Sequence, residues 1–156
     1  MPSTMLKDFL DRNGVRYVSI SHSKAYTANE VAASVHVPGK EMAKTVMVKV
    51  DGKMAMAVLP ASLRVSFEQL REAIGASEVS LAGEGEFRTL FPDCEVGAMP
   101  PFGNLYGLEV YVADALAEDE QIAFNAGSHT EIIQMRYADF ERLALPHVMT
   151  FAAQRA

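Results

Sequence analysis

The 156-residue chain contains no tryptophan and a single cysteine, Cys94. One cysteine excludes an internal disulfide and any cysteine-rich zinc site. No apolar run approaches the roughly 20 residues that a membrane-spanning helix needs, so no membrane partner is expected. The opening stretch MPSTMLKDFLDRNG has no basic segment leading into an unbroken apolar one. That argues against a signal peptide and for a cytoplasmic protein. Catalytic signatures are equally scarce: there is no Gly-x-Ser-x-Gly elbow, no P-loop and no His-Glu-x-x-His. His22, His36, His129 and His147 stand singly, without the spacing of metal ligands, so no metal or other cofactor is expected. Cys94 lies between Asp93 and Glu95, acidic neighbours that discourage a reactive thiolate. An enzyme built from this chain would work without a covalent nucleophile.

What is present is ordinary in bulk and uneven in detail. Hydrophobic residues make up 49% and charged residues 22%, which suits one globular domain over residues 1–156. The net charge of −6 argues against a non-specific nucleic-acid binder. Yet residues 1–75 hold ten Lys and Arg against seven Asp and Glu, whereas residues 76–156 hold four against thirteen. The asymmetry permits a basic face, with Lys24, Lys40 and Lys44 as its candidates.

One stretch stands out. Ala43–Val50 and Lys53–Leu59 are apolar-rich runs joined by Asp51-Gly52, a strong hairpin signal. Alternation puts Lys44 on one face with Val46, Val48 and Val50, and puts Lys49 on a more polar face with Thr45 and Met47. Lys44 reads in two ways: a strand-end lysine whose stem snorkels to water, or an ammonium held at a pocket rim to meet an anion or a polarised carbonyl.

The remaining elements follow in order. Ser3 caps a first helix whose Leu6, Phe9 and Leu10 share a face, and Gly14 closes it. Arg16–Ser21 reads as a strand. Thr27 with Glu30 forms a capping-box pattern for a helix over 28–35. Ser66 with Gln69 repeats that pattern for a third helix ending at Gly75. Short elements are expected at 78–81 and 84–91, with a weak strand near Glu95. Leu108–Ala113, Gln121–Ala126 and Thr130–Arg136 alternate as strands. Ala138–Leu145 reads as the last helix, and the tail from His147 as frayed. The absence of a regular βαβ rhythm favours an α+β fold.

Four pieces carry a resemblance. They are His22-x-x-x-x-Thr27, Ala43-Lys44-Thr45 opening the hairpin, Val96-Gly97-Ala98-Met99-Pro100-Pro101-Phe102-Gly103, and Phe124-Asn125-Ala126-Gly127-Ser128-His129-Thr130. In this order they resemble the YbaK/prolyl-tRNA-synthetase-associated editing domain family, over nearly the whole chain. The resemblance implies a mixed β-barrel-like sheet flanked by helices. It also implies a free-standing hydrolase of the ester on mischarged tRNA. The family's invariant lysine matches Lys44, and its Gly-x-x-x-Pro loop matches Gly97 to Pro101. Ser128 and His129 match a substrate-facing turn.

On that resemblance Lys44 is the catalytic candidate, fixing the terminal nucleotide through its phosphate or ribose. His22, Thr27, Thr45, Gly97, Ala98, Met99, Pro101, Ser128 and His129 are the substrate-binding candidates. Amides around Gly97–Met99 would hold the amino-acid end, and the side chains of Ala98 and Met99 would form an apolar wall stiffened by Pro100-Pro101. Alanine, serine or threonine is the expected group, with cysteine admitted and proline spared. The expected partners are the aminoacyl-tRNA acceptor end and an aminoacyl-tRNA synthetase. A catalytically silent tRNA- or synthetase-binding module, or a hydrolase of another small activated ester, stays open.

Overall fold

The computed structural model describes residues 4–22, 29, 32 and 37–154. In chain order its elements are α1 (Thr4–Arg12), β1 (Tyr17–Ser21), β2 (Ala43–Val50), β3 (Lys53–Pro60), β4 (Leu63–Val65), α2 (Phe67–Ile74), β5 (Val79–Leu81), α3 (Glu84–Phe87), β6 (Glu109–Ala113), α4 (Asp114–Ala117), β7 (Gln121–Asn125), β8 (Glu131–Arg136), α5 (Tyr137–Ala144), β9 (His147–Met149) and β10 (Ala152–Gln154). Single turns of 3₁₀ helix cover Arg88–Leu90 and Gly103–Tyr106. Of the helix expected over 28–35 only residues 29 and 32 are described, both helical, and Thr27 lies outside the described residues.

The β2–β3 hairpin is the centre of a five-stranded mixed sheet ordered β5-β2-β3-β6-β9. Its turn residues Asp51 and Gly52 have φ of 49° and 85°, the left-handed pair that matches the strands' twist. Asp51 Oδ1 also accepts the Ser77 and Glu78 N–H groups at 3.0 and 2.8 Å, which ties the turn to the start of β5. A second, antiparallel sheet runs β1-β8-β7, and β4 pairs with β10 in a third. The fold is α+β as expected, but the barrel-like closure is not found: among the described residues the strands form three open sheets. An isolated parallel bridge, Met42 to Ala123, joins the segment leading into β2 to β7 of the three-stranded sheet.

The sheets enclose the main core. Met47, Met56, Val58, Val110 and Val112 of the large sheet meet Ile122, Phe124, Ile133 and Met135 of the small one, with Leu6 and Leu10 of α1 and Phe140 of α5. This corrects the reading of β2. The face holding Thr45, Met47 and Lys49 is not the polar one, because Met47 is buried in the larger of the sheet's two cores. Lys49 sits where that face reaches the surface and pairs with Glu86 at 3.1 Å. The opposite face, with Val46, Val48 and Val50, packs on Leu70 of α2 and on Phe151.

Two further expectations change. Residues 91–99 form turns and no strand near Glu95. The tail is not frayed: His147–Met149 adds a parallel strand to β6, Ala152–Gln154 pairs with Leu63–Val65, and Phe151 between them is fully buried. Phe151 also settles one helix end. Ser66 Oγ accepts the Gln69 N–H at 3.3 Å as the cap pattern requires, but the Ser66 N–H bonds Phe151 O at 2.7 Å in place of the Gln69 side chain. Half the capping box is therefore supplied by the C-terminal segment.

Two measurements follow. Phe151→Ala should lower unfolding free energy by about 3–5 kcal/mol in urea titration, the range for a buried phenylalanine; a loose tail would leave it unchanged. Asp119, after α4, is a half-buried residue whose side chain is 6% exposed, with Oδ1 3.7 Å from Lys40 Nζ and Oδ2 unbonded. Burial raises its carboxyl above the usual range, against the pull of Lys40. A raised folded-state carboxyl means the native state binds more protons than the unfolded one, so stability falls as pH rises through the shifted value. Asp119→Asn should therefore stabilise the protein more at pH 7 than at pH 4, read from melting temperatures at the two pH values.

Candidate functional site

Lys44 begins β2 where the row of valines gives out. It is half-buried, and its Nζ donates to Ala61 O at 3.4 Å. Ala61 belongs to a small apolar cluster with Met42, Ala123 and Ile132, against which Ile20 packs. The Met42–Ala123 bridge is held by Ala123 N–H to Glu41 O at 2.9 Å, and Ala61 N–H bonds Met42 O at 2.7 Å. These two bonds seat the lysine's strand against the last strands of the chain. His22 approaches the same cluster from β1: its N–H bonds Thr130 O at 2.8 Å, and it shares a strand face with Ile20. Thr45, one residue on from Lys44, projects from the opposite face of the sheet, opposite Val58 of the main core. The structure does not bring it to Lys44. Thr27 lies outside the described residues.

The loop at Gly97 and the turn at Ser128-His129 meet at the tip of the β7–β8 hairpin and are laced together. Glu95 N–H bonds Gly127 O at 2.7 Å, and Gly127 N–H bonds Ala98 O at 2.9 Å. Glu95 Oε1 accepts the His129 N–H at 2.7 Å. His129 Nε2 lies 2.8 Å from Val96 O; a carbonyl only accepts, so Nε2 carries the hydrogen. The imidazole is 6% exposed, and its Cε1 lies 3.5 Å from where a Cβ on Gly97 would stand. Gly97 itself has φ of +86°, a conformation that glycine adopts without steric cost. Glu95, an acceptor for the turn that no short motif flags, thus belongs to the site's frame.

Side chains that looked like a pocket wall serve the core. Ala98 is fully buried and Met99 nearly so, the latter packed in the main core. Pro100 and Pro101 are buried too, leading into Phe102. Phe102 makes edge contacts with Phe9, Phe124 and Phe140 at centroid distances of 5.9, 5.7 and 5.3 Å. After it, a Cβ on Gly103 would fall 2.7 Å from Val110 Cγ2 and 2.8 Å from Leu108 O, so only glycine fits. What the loop can offer a ligand is then its backbone. Gly97 N–H points at Met99 Sδ at 3.2 Å and Ala98 N–H bonds Glu95 O at 3.1 Å. The Met99 N–H has no acceptor among the described residues.

Ser128 is half-buried, and its Oγ accepts the Thr130 N–H at 3.3 Å in a local turn. Cys94 lies apart from this arrangement, 3.4 Å from Tyr106 Oη, and burial pushes its thiol up to about 11. It is protonated at neutral pH. Among the described residues no group of three His, Cys, Asp or Glu is placed to hold a metal ion.

Comparison with known proteins gives a consistent result. The model for the aminoacyl-tRNA editing domain matches residues 22–143. The chain is 30% identical over 151 residues to the multifunctional Ser/Thr-tRNA deacylase ProXp-y of Escherichia coli K12, covering 91% of this chain and 87% of that one. It is 33% identical over 88 residues to the proline–tRNA ligase of Bacillus cytotoxicus, which is 56% of this chain but 15% of the ligase. A solved structure described as a candidate trans-editing enzyme for prolyl tRNA synthetase superposes with a TM-score of 0.82 at 16% identity, over 99% of this chain and 98% of that one. Lys44, the laced loops and the strand order around them therefore belong to a member of the aminoacyl-tRNA editing domain family.

Proposed function

We propose that the chain is a trans-editing hydrolase that removes a small, wrongly attached amino acid from the 3′ end of tRNA. Residues 1–156 act as one editing unit, and the acceptor end of aminoacyl-tRNA is the partner. The observation that carries this reading is the placement of Lys44: a single ammonium at the end of an apolar face, beside the hairpin whose tip is laced to the Gly97 loop.

The reaction asks little of the protein. An aminoacyl ester is already activated, so positioning and electrostatic stabilisation supply most of the acceleration. Water adds to the ester carbonyl carbon, the C–O bond to the ribose breaks, and the ribose oxygen leaves with a proton. Lys44 holds the terminal nucleotide by a phosphate or ribose oxygen. The Met99 N–H, with no acceptor among the described residues, is the amide assigned here to the substrate carbonyl oxygen. His129 acts as a positioning residue, because its ring is committed to Val96 O. The ProXp-y relative supports serine and threonine as acyl groups, and a pocket of this kind admits alanine with modest discrimination. The local match to a proline–tRNA ligase supports a synthetase as a second partner.

Single-turnover hydrolysis of one tRNA charged in turn with alanine, serine, threonine, cysteine and proline tests the reading. Seryl and threonyl esters should be cleaved and the prolyl ester spared; fastest cleavage of the prolyl ester, or equal rates for all five, overturns it. In the same assay Lys44→Ala should lower the rate at least ~100-fold. Lys44→Arg should not restore it, since a guanidinium is not an ammonium in a tight site. Lys49→Ala should stay near wild type, because that lysine pairs with Glu86 at the surface. Glu95→Ala removes the acceptor of the His129 N–H and should slow all acyl groups alike by roughly tenfold, about the worth of one charged hydrogen bond. Glu95→Gln keeps an acceptor oxygen and should retain most activity.

A further inference from the structure

Asn125 ends β7 and has no role in anything above. Asparagine is depleted in strands, and the neighbours of this one are apolar: on its own strand face stands Ala123, and directly across on β8 stands Ile132. Its Oδ1 is buried without a hydrogen-bond partner, while the residue as a whole is half-buried. A buried acceptor left unbonded costs about 1–3 kcal/mol. Such a group in a native fold needs a reason.

Topology supplies one. Met42 and Ala123 are bridged in parallel. Two residues further along each chain come Lys44 and Asn125, and side chains two apart share a strand face. Lys44 therefore leaves on the Met42 side and Asn125 on the Ala123 side, the sides that meet in the Met42, Ala61, Ala123 and Ile132 cluster. The Lys44 Nζ bond to Ala61 O places the ammonium at that cluster as well. On the other flank, Ala126 and Gly127 lead directly into the turn laced to the Gly97 loop. Along β7, Asn125 thus stands between the residue bridged to the lysine's segment and the turn laced to the Gly97 loop.

We infer that the Asn125 carboxamide is a specificity-determining contact for a hydroxyl group on the aminoacyl end of the substrate. A carboxamide offers an acceptor at one end and donors at the other, and a hydroxyl answers either end. An ammonium answers only the oxygen. The hydroxyl has two sources, the side chain of a seryl or threonyl group and the free ribose hydroxyl beside the ester. This inference rests on the editing function proposed above.

The test compares wild type, Asn125→Ala, Asn125→Leu and Asn125→Asp, with melting curves to select the folded variants. Asn125→Leu keeps the volume, and Asn125→Asp keeps an acceptor oxygen. Each is assayed on seryl- and alanyl-tRNA, and on alanyl-tRNA whose terminal ribose lacks the neighbouring hydroxyl. If the side-chain hydroxyl is the ligand, the alanine and leucine variants lose roughly tenfold or more on the seryl ester. They then change little on the alanyl ester, and Asn125→Asp retains part of the preference. If the ribose hydroxyl is the ligand, both esters slow together and the variants no longer distinguish ribose from deoxyribose termini. Unchanged rates, or a uniform loss with the ribose preference intact, overturn the inference. Should wild type cleave none of these esters, the proposed function falls on its own. Binding of amide-linked seryl- and alanyl-adenosine, each with and without the neighbouring ribose hydroxyl, to wild type and variants still decides the role of Asn125: a seryl or ribose preference that the variants lose sustains it, and equal affinities of wild type and variants for all four overturn it.

Discussion

The main-chain contact between the segment entering β2 and strand β7 is the joint on which the site depends. Met42 and Ala123 bridge there, with Ala123 N–H on Glu41 O. On one side of it the hairpin carries Lys44; on the other, the β7–β8 pair carries Asn125 and the turn at His129. Neither half holds a site alone. The apolar residues at the joint are small or slender, with Ala61, Ala123 and Met42 all fully buried. Small side chains let two strands from different sheets come within main-chain bonding distance, and beside them the lysine stem carries its ammonium to Ala61 O.

The laced loops solve a different problem. A loop that presents amides to a ligand must hold them still, and Gly97 by itself is the freest residue available. Rigidity comes from outside the loop: Glu95, Gly127 and His129 supply four bonds across it, and Phe102 pins its far end among three aromatic rings. Histidine is well suited to this place because one ring nitrogen donates to a carbonyl while the backbone N–H of the same residue reaches a carboxylate. Glycine suits the neighbouring position, where φ is +86° just after the Val96 carbonyl that the imidazole holds.

Much of this was legible in the sequence, for reasons that are local. The Asp51-Gly52 turn, the Ser66 cap, the Gly75 stop and the alternation of β6, β7 and β8 are each set by neighbouring residues, and each is found where expected. Alternation also singled out Lys44. What it misjudged was the other face of the same strand, because Thr45 and Lys49 flank a methionine whose burial depends on strands far along the chain. The C-terminal strands failed for a similar cause: three-residue elements carry almost no periodicity, and the one signal was Phe151, the large aromatic of the tail. Ala98 and Met99 read as a wall because they sit in a recognisable loop, and only packing reveals that they face inward. Asn125 lay inside a quoted motif, but nothing local marks an oxygen as unbonded.

The pairing of β1 with β8, and of β4 with β10, joins segments separated by most of the chain. Closing loops of that length carries an entropic cost before any contact rewards it, so such pairings form slowly. The β2–β3 hairpin, by contrast, closes over two residues. On the ribosome the lysine's hairpin is therefore made early and waits, while Asn125, His129 and the strand that seats them emerge with the last third of the chain. The hairpin has its shape well before the candidate site around it is assembled. A chain that has closed only this hairpin carries Lys44 without the β7–β8 pair that completes the candidate site around it.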